Sequence, residues 1–210
     1  MYVIDLVYVR DSWYTCSPTQ YLCGDSLAFH AHLNIDLRQL GRLTTASEAG
    51  ERAVIEARWQ EFMPTFLAAA EACPIHKGAV FRGVQLPAML YKGHYNVGRL
   101  VEWTGFTSTS RSANKAVAIG LGSMDVDEHN APRRIVMFRI QVLDGKCIES
   151  ILQYSSEEEV LILPQSRFVV IANENVLPVT IEREGFPDLD ARYKVIDLQE
   201  VDRSSSSYVF

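Results

Sequence analysis

A change of period at Cys73-Pro74 divides this chain into two kinds of sequence. Upstream, apolar residues recur every three to four positions. Downstream they fall into short runs and alternations separated by glycine, proline, asparagine and aspartate. The first pattern builds helices with one buried face, and the second builds strands whose side chains alternate between faces. Helices followed by strands make an α+β domain, with strands from residue 79 onward in one or two packed sheets. A chain of 210 residues suits one such domain with a substantial core. The reading is a single domain over 1–203, helical over about 20–72 and a β core over about 79–200, with a flexible tail at 204–210 that includes the serines Ser204 to Ser207.

Residues 1–24 specify little beyond a candidate strand at Met1 to Val9. From Ser26 to Leu40 the spacing of Phe29, Leu33, Leu37 and Leu40 predicts a helix, with Asp25 to cap its start and Gly41 to end it. Thr45 with Glu48 three residues on is a capping box for a second helix. Its stripe is Ile55, Trp59, Phe62, Phe66 and Ala69, a face for core packing. Pro64 removes a helical hydrogen bond and should kink or split the segment near Gln60 to Met63.

In the second half, Ala79 to Val84 reads as a strand with Arg82 inside it. Arginine is rarely buried without a partner, so Arg82 either faces water from an edge strand or meets an anion. Its fork of five donors suits a diphosphate. Gly83 lets a ligand approach the backbone. After a turn-rich link at Lys92 to Asn96, alternation in Gly105 to Ser110 places Phe106, Ser108 and Ser110 on one face and Thr107 and Thr109 on the other. Arg111 to Gly120 suits a short helix, and Leu121 to Pro132 an exposed loop. Arg134 to Leu143 is β-prone, and Asp144-Gly145 should turn it into Lys146 to Ile148. Further strands are expected at Phe168 to Ala172, Val179 to Ile181 and Tyr193 to Leu198.

Several classes of function are disfavoured. The formal net charge is −6 and no run of lysines or arginines exists, which argues against nonspecific nucleic-acid binding. No stretch of 18 apolar residues appears, so no membrane-spanning helix is expected. The start, MYVIDLVYVRDSW, lacks a basic n-region, so a cytoplasmic protein or an effector exported by a non-classical route is expected. Of the four cysteines, Cys16 and Cys23 could pair in an oxidising compartment or stay free. No C-x-x-C pair or His/Cys cluster has zinc spacing, so no metal is expected. No G-x-S-x-G elbow or Ser/His/Asp order supports a serine nucleophile.

The densest chemistry lies in Ser155 to Pro164, where Glu157-Glu158-Glu159 runs directly into Val160-Leu161-Ile162-Leu163. In a strand, Glu157 and Glu159 share one face and Glu158 takes the other. Two carboxylates at the mouth of a sheet suit chemistry at a sugar carbon: one steadies developing positive charge, the other handles the incoming group.

Arg82, Ser108-Thr109-Ser110 and Glu157-x-Glu159 come in that order, and together they resemble the signature of the arginine-type mono-ADP-ribosyltransferases. That family includes the vertebrate ecto-enzymes and related bacterial toxins. The stretches Val136 to Ile140, Asp144 to Ile148 and Leu33-Asn34-Ile35-Asp36-Leu37-Arg38 are also similar to its members, so the resemblance covers roughly residues 20 to 200. Each motif is weak alone; three in order with matching spacing are specific.

The resemblance implies two roughly perpendicular sheets with NAD in the cleft between them and helices on one side. Arg82 would hold the diphosphate, and the Gly83 backbone would bond the nicotinamide carboxamide. Ser108, Thr109 and Ser110 would line the cofactor site, where Ser108 would hold the nicotinamide ribose and orient Glu159. Glu159 would bond the ribose 2′-hydroxyl, and Glu157 would face the acceptor. The loop over 121–132 would close on the nicotinamide. NAD would be consumed as a substrate, without a metal, by a monomer acting on an arginine of an acceptor protein. Tyr154 stands just before the glutamates and is either an acceptor contact or a packed loop tyrosine. The alternatives are a glycohydrolase, which would need Glu159 but not depend strongly on Glu157, and an inactive module binding NAD or a partner, which could lose these residues freely.

Overall fold

The computed structural model describes residues 26–87, 93–122, 133–148, 158–181 and 189–201. The expected strand at Met1 to Val9, the cysteines Cys16 and Cys23, the loop from residue 123 to 132, Tyr154, Glu157 and the tail lie outside the described residues.

Helix α1 spans Ser26–Arg42 and buries Leu33, Leu37 and Leu40, as the spacing predicts. Burying each leucine contributes roughly 1.5–3 kcal/mol. Gly41 does not end this helix. It lies inside the last turn, where an added Cβ would stand 2.5 Å from Thr104 Cγ2, so its smallness serves close packing. The Glu48 carboxylate accepts hydrogen bonds from the Thr45 amide at 2.8 Å and from the Thr45 hydroxyl at 2.7 Å. A 3₁₀ turn, Ala46–Glu48, then leads into α2, Ala49–Trp59.

The break expected from Pro64 falls at Gln60-Glu61, and α3 covers Phe62–Glu71 with Pro64 in its first turn, where a missing amide is tolerated. Restarting the helix rotates its face. Met63, Leu67 and Ala70 point into the core, Phe62 and Phe66 are half-buried, and Ala69 is exposed. The stripe therefore holds through Trp59 and shifts by one residue beyond the break. Phe62 stacks on Phe66, and Phe66 meets Phe106 edge-on with centroids 4.9 Å apart. That contact ties the helical layer to the segment entering the serine-rich strand.

One buried polar knot holds α1 to α2. Asp36 accepts hydrogen bonds from the Trp59 indole at 2.7 Å and from Arg58 Nη1 at 2.7 Å. Asp36→Ala takes the acceptor from a buried indole N–H and should destabilise by about 2–3 kcal/mol. Arg58→Ala, which removes a half-exposed partner, should lose less than about 1 kcal/mol. Urea titrations of the two variants check this; equal midpoints would contradict it.

The strands are β1 (Ile75–Pro87), β2 (Leu100–Trp103), β3 (Thr107–Ser110), β4 (Arg133–Cys147), β5 (Glu159–Ile162), β6 (Ser166–Ile181) and β7 (Leu189–Glu200). Helix α4, Ala113–Gly122, interrupts them after β3 and includes Leu121 and Gly122, which the sequence reading assigned to a loop. The strands are hydrogen-bonded in the order β1-β3-β5-β4-β7-β6-β2, and β1 also pairs with β4. The strands β1, β3, β5 and β4 therefore close on themselves at one end of the network. β4 is antiparallel to β1 and parallel to β7.

Two expectations are corrected. Asp144-Gly145 makes no turn: β4 continues through it because β1 runs alongside, pairing His76 with Gly145 and Ile75 with Lys146. The amides of Leu143 and Asp144 are bonded by the Glu200 carboxylate at 2.6 and 3.2 Å. The separate strands expected at Phe168 to Ala172 and Val179 to Ile181 are one strand, β6, whose register to β7 shifts near Ala172.

Val80 and Val84 of β1, Val101 of β2, Phe138 of β4, Phe168 of β6 and their neighbours form one core. Tyr95, in the link read as turn-rich, is fully buried there against Phe138, with ring centroids 4.9 Å apart. A second core joins the helices to Phe106, Leu161 and Leu163. No helix among the described residues is long and apolar enough to cross a membrane.

Candidate active site

Register brings the three motifs together. Ser110 pairs with Phe81 of β1 on one side and with Glu159 of β5 on the other. Arg82, Ser108 and Glu159 thus come from adjacent strands where the sheet closes. β5 forms because Val160 to Leu163 are all buried, Val160 and Ile162 into the sheet core and Leu161 and Leu163 under the helices. This two-sided burial explains an unbroken apolar run, and it carries Glu159 inward with it.

Glu159 is 2% exposed and Ser108 8%. The Ser108 hydroxyl donates a hydrogen bond to Glu159 Oε1. Arg82, 5% exposed, donates from Nη1 to the Ser108 carbonyl at 2.7 Å. It does not face water from an edge strand: β1 is paired along its length with β4, and Arg82 lies opposite the fully buried Phe138. Burial pushes the Arg82 guanidinium down to about 10, and nearby Arg38 pushes the same way, while Tyr95 and Glu159 oppose the shift. The group still carries its charge at neutral pH. Its Nε has no hydrogen-bond partner among the described residues.

The hydroxyls of Thr109 and Ser110 each make a bond to the backbone. Thr109 Oγ1 donates to the Val160 carbonyl, and Ser110 Oγ accepts from the Ser112 amide at 3.1 Å. The side of Gly83 on which a Cβ would stand is covered by α4, where that atom would lie 2.4 Å from the Ala116 carbonyl oxygen. Glu158 turns away from Glu159, in a left-handed backbone with φ of 51°, and its carboxylate meets Lys115 Nζ at 2.7 Å. Glu157 and Tyr154 belong to the segment outside the described residues. Among the described residues no cluster of His, Cys, Asp and Glu is arranged to hold a metal. Cys73 and Cys147 are free thiols, and burial raises the Cys73 thiol.

The sequence reading quoted Asn34 and Arg38 within a motif but gave them no role. They stand one turn apart on α1 and so share a face. Asn34 is buried, with Oδ1 lacking a partner among the described residues and lying 2.7 Å from where a Cβ on Gly105 would be. Burial lowers the Arg38 pKa. Arg38 is also near enough to lower the pKa of the Arg82 guanidinium. The signal was available in the i, i+4 spacing of two polar residues beside the leucine stripe.

No protein-family model matches the chain. A curated relative from Mycobacterium avium (strain 104), the putative NAD(+)--arginine ADP-ribosyltransferase Mav, is 29% identical over 163 residues, covering 74% of this chain. The chain spans 17% of that relative's length. Among solved structures, Vis, described as a toxin and an ADP-ribosyltransferase from Vibrio splendidus, superposes in an inhibitor complex with a TM-score of 0.58 at 22% identity. That match covers 92% of this chain and 78% of Vis. Vis in complex with agmatine gives a TM-score of 0.55 at 20% identity, over 93% of this chain and 83% of Vis. The chain has the ADP-ribosyltransferase fold.

Proposed function

We propose that this chain is an arginine-directed mono-ADP-ribosyltransferase, which transfers ADP-ribose from NAD to an acceptor protein and releases nicotinamide. The observation that carries the reading is the buried chain of contacts from Arg82 through the Ser108 carbonyl and hydroxyl to Glu159. A carboxylate so enclosed, with its orientation set by a serine, suits stabilisation of positive charge at a fixed point. The relative from Mycobacterium avium is named for the same activity, and Vis was captured with agmatine, a small guanidine.

In this reading NAD lies in a cleft where the closed end of the strand network meets the helical layer, the two-sheet arrangement of the family. Arg82 and Arg38 hold the diphosphate, and the Gly83 backbone bonds the carboxamide. The bond between nicotinamide nitrogen and ribose C1 breaks, its electron pair leaving with nicotinamide. Glu159 then faces an oxocarbenium-like carbon whose charge exists only near the transition state, so the interaction favours that state over bound NAD. An acceptor guanidinium is protonated and a poor nucleophile. Glu157 pairs with it and takes the proton as a guanidine nitrogen forms the new bond to C1.

The test incubates the protein with labelled NAD and agmatine and follows nicotinamide and ADP-ribosyl-agmatine separately. Wild type should form the adduct. Glu157→Gln should lose adduct about 10²-fold or more while hydrolysis to ADP-ribose falls much less. Nicotinamide release without adduct in the wild type would identify a glycohydrolase, and NAD binding without release an inactive module.

A further inference from the structure

Glu158 is the middle glutamate of the triplet, and neither proposed carboxylate role uses it. Its backbone is left-handed, with φ of 51°, a conformation that glutamate rarely adopts without compensation. Compensation is present on both its backbone and its side chain. The Glu158 carbonyl accepts the Arg111 amide at 3.1 Å. Its carboxylate meets Lys115 Nζ, in the first turn of α4, at 2.7 Å. Lys115 and then Arg111 hold that carboxyl below the usual carboxylate range, so the contact is charged at neutral pH.

The first turn of α4 is already bound to the other two motif strands. Ser112, whose hydroxyl accepts the Lys115 amide at 3.4 Å, donates its own amide to Ser110 Oγ of β3. Ala116 lies against Gly83 of β1. The Glu158–Lys115 pair adds the third strand, β5, at the residue immediately before Glu159. One helical turn is thereby referenced to Arg82, to the serine strand and to the carboxylate.

We infer that Glu158 and Lys115 form a latch that positions the Glu159 carboxylate against Ser108 by fixing the left-handed turn entering β5. Glu158 and Lys115 are positioning residues that act through Glu159. The inference rests on the transferase reading for its kinetic consequence, whereas the latch itself is a structural contact measurable without activity. Both side chains are about two-fifths exposed, at 41% and 39%, so breaking the pair should leave the fold intact. The melting temperature should move by about 3 °C at most.

The experiment compares wild type, Glu158→Gln, Lys115→Met, Glu158→Asn and the exchanged pair Glu158→Lys with Lys115→Glu. Glu158→Gln and Lys115→Met should lower kcat for nicotinamide release roughly tenfold with KM for NAD nearly unchanged, because a reacting group displaced by a fraction of an ångström loses rate before binding. Glu158→Asn accepts the left-handed backbone but cannot reach Lys115, so it should fall with them. The exchanged pair should recover most of the rate. Loss of rate in the single variants without recovery in the exchanged pair, or full activity in Glu158→Gln, overturns the latch. Amide exchange at Arg111 reports on the contact independently, and should quicken in Glu158→Gln and Lys115→Met. An enzyme silent toward NAD but with that quickening would retain the latch and refute the transferase; unchanged Arg111 protection would refute the latch whatever the activity.

Discussion

Glu159→Gln should reduce nicotinamide release by about 10³-fold while leaving NAD binding within roughly threefold of wild type. The substitution keeps shape and an acceptor oxygen for the Ser108 hydroxyl, which now donates to Oε1. What it removes is the negative charge, in a place where Glu159 is 2% exposed and screening by water is weak. The ground state of NAD at the ribose C1 gains little from that charge, whereas the transition state gains much. Ser108→Ala should lose less, about tenfold, because the carboxylate stays and only its orientation loosens. Single-turnover release of nicotinamide, beside calorimetric NAD titration, separates rate from affinity. A Glu159→Gln protein retaining a tenth of the wild-type rate would sink the assignment of Glu159. Equal loss of rate and of affinity would mean that Glu159 binds NAD without selecting the transition state.

Those residues could be named from sequence because their chemistry is unusual for their surroundings: an arginine inside a strand, alternating hydroxyls, carboxylates abutting an apolar run. The ADP-ribosyltransferase fold recognised from them is the fold that the structure has. Elements set by local pattern were equally legible. The leucine stripe of α1, the Thr45–Glu48 capping box and the break ahead of Pro64 depend on residues within a turn or two of one another. Elements set by distant partners were not. Asp144-Gly145 has strong turn propensity, yet β1 holds it extended, and nothing near residue 145 announces where His76 will lie. Ala69 was assigned to the core because the helical period was continued through a break that reset it. The spacing of Arg38 with Asn34 marks a shared face of α1, but the nearness of Arg38 to Arg82, between helix and strand, is set by the fold. Glu158 could be placed only on the face opposite Glu157 and Glu159, because its partner, Lys115, lies in a helix that the sequence placed without orienting.

Gly83→Ala should be the most disruptive small substitution in the β core, costing about 3 kcal/mol or more and lowering the melting temperature by roughly 6–12 °C. Whatever its backbone amide and carbonyl meet, the side of this glycine on which a Cβ would stand faces α4. The added methyl would stand 2.4 Å from the Ala116 carbonyl oxygen, 3.2 Å from the carbonyl carbon and 3.4 Å from Val117 Cα. All three atoms are backbone, so no rotamer change relieves the clash. Either α4 lifts or β1 bends. Lifting α4 uncovers Ala116 and Val117, which pack with Phe81, Met137 and Val195, and pulls Lys115 from Glu158. Bending β1 moves Arg82 off the Ser108 carbonyl. Activity should therefore fall further than the stability loss explains, even below the lowered melting temperature. Gly50→Ala is the matched control, since nothing lies within 4 Å of its added Cβ and alanine favours the helix there. It should be neutral or stabilising by up to about 1 kcal/mol. Thermal melts of the two variants, with nicotinamide release measured about 15 °C below each midpoint, separate the packing loss from the loss of activity. A Gly83→Ala protein with wild-type stability would overturn the packing role.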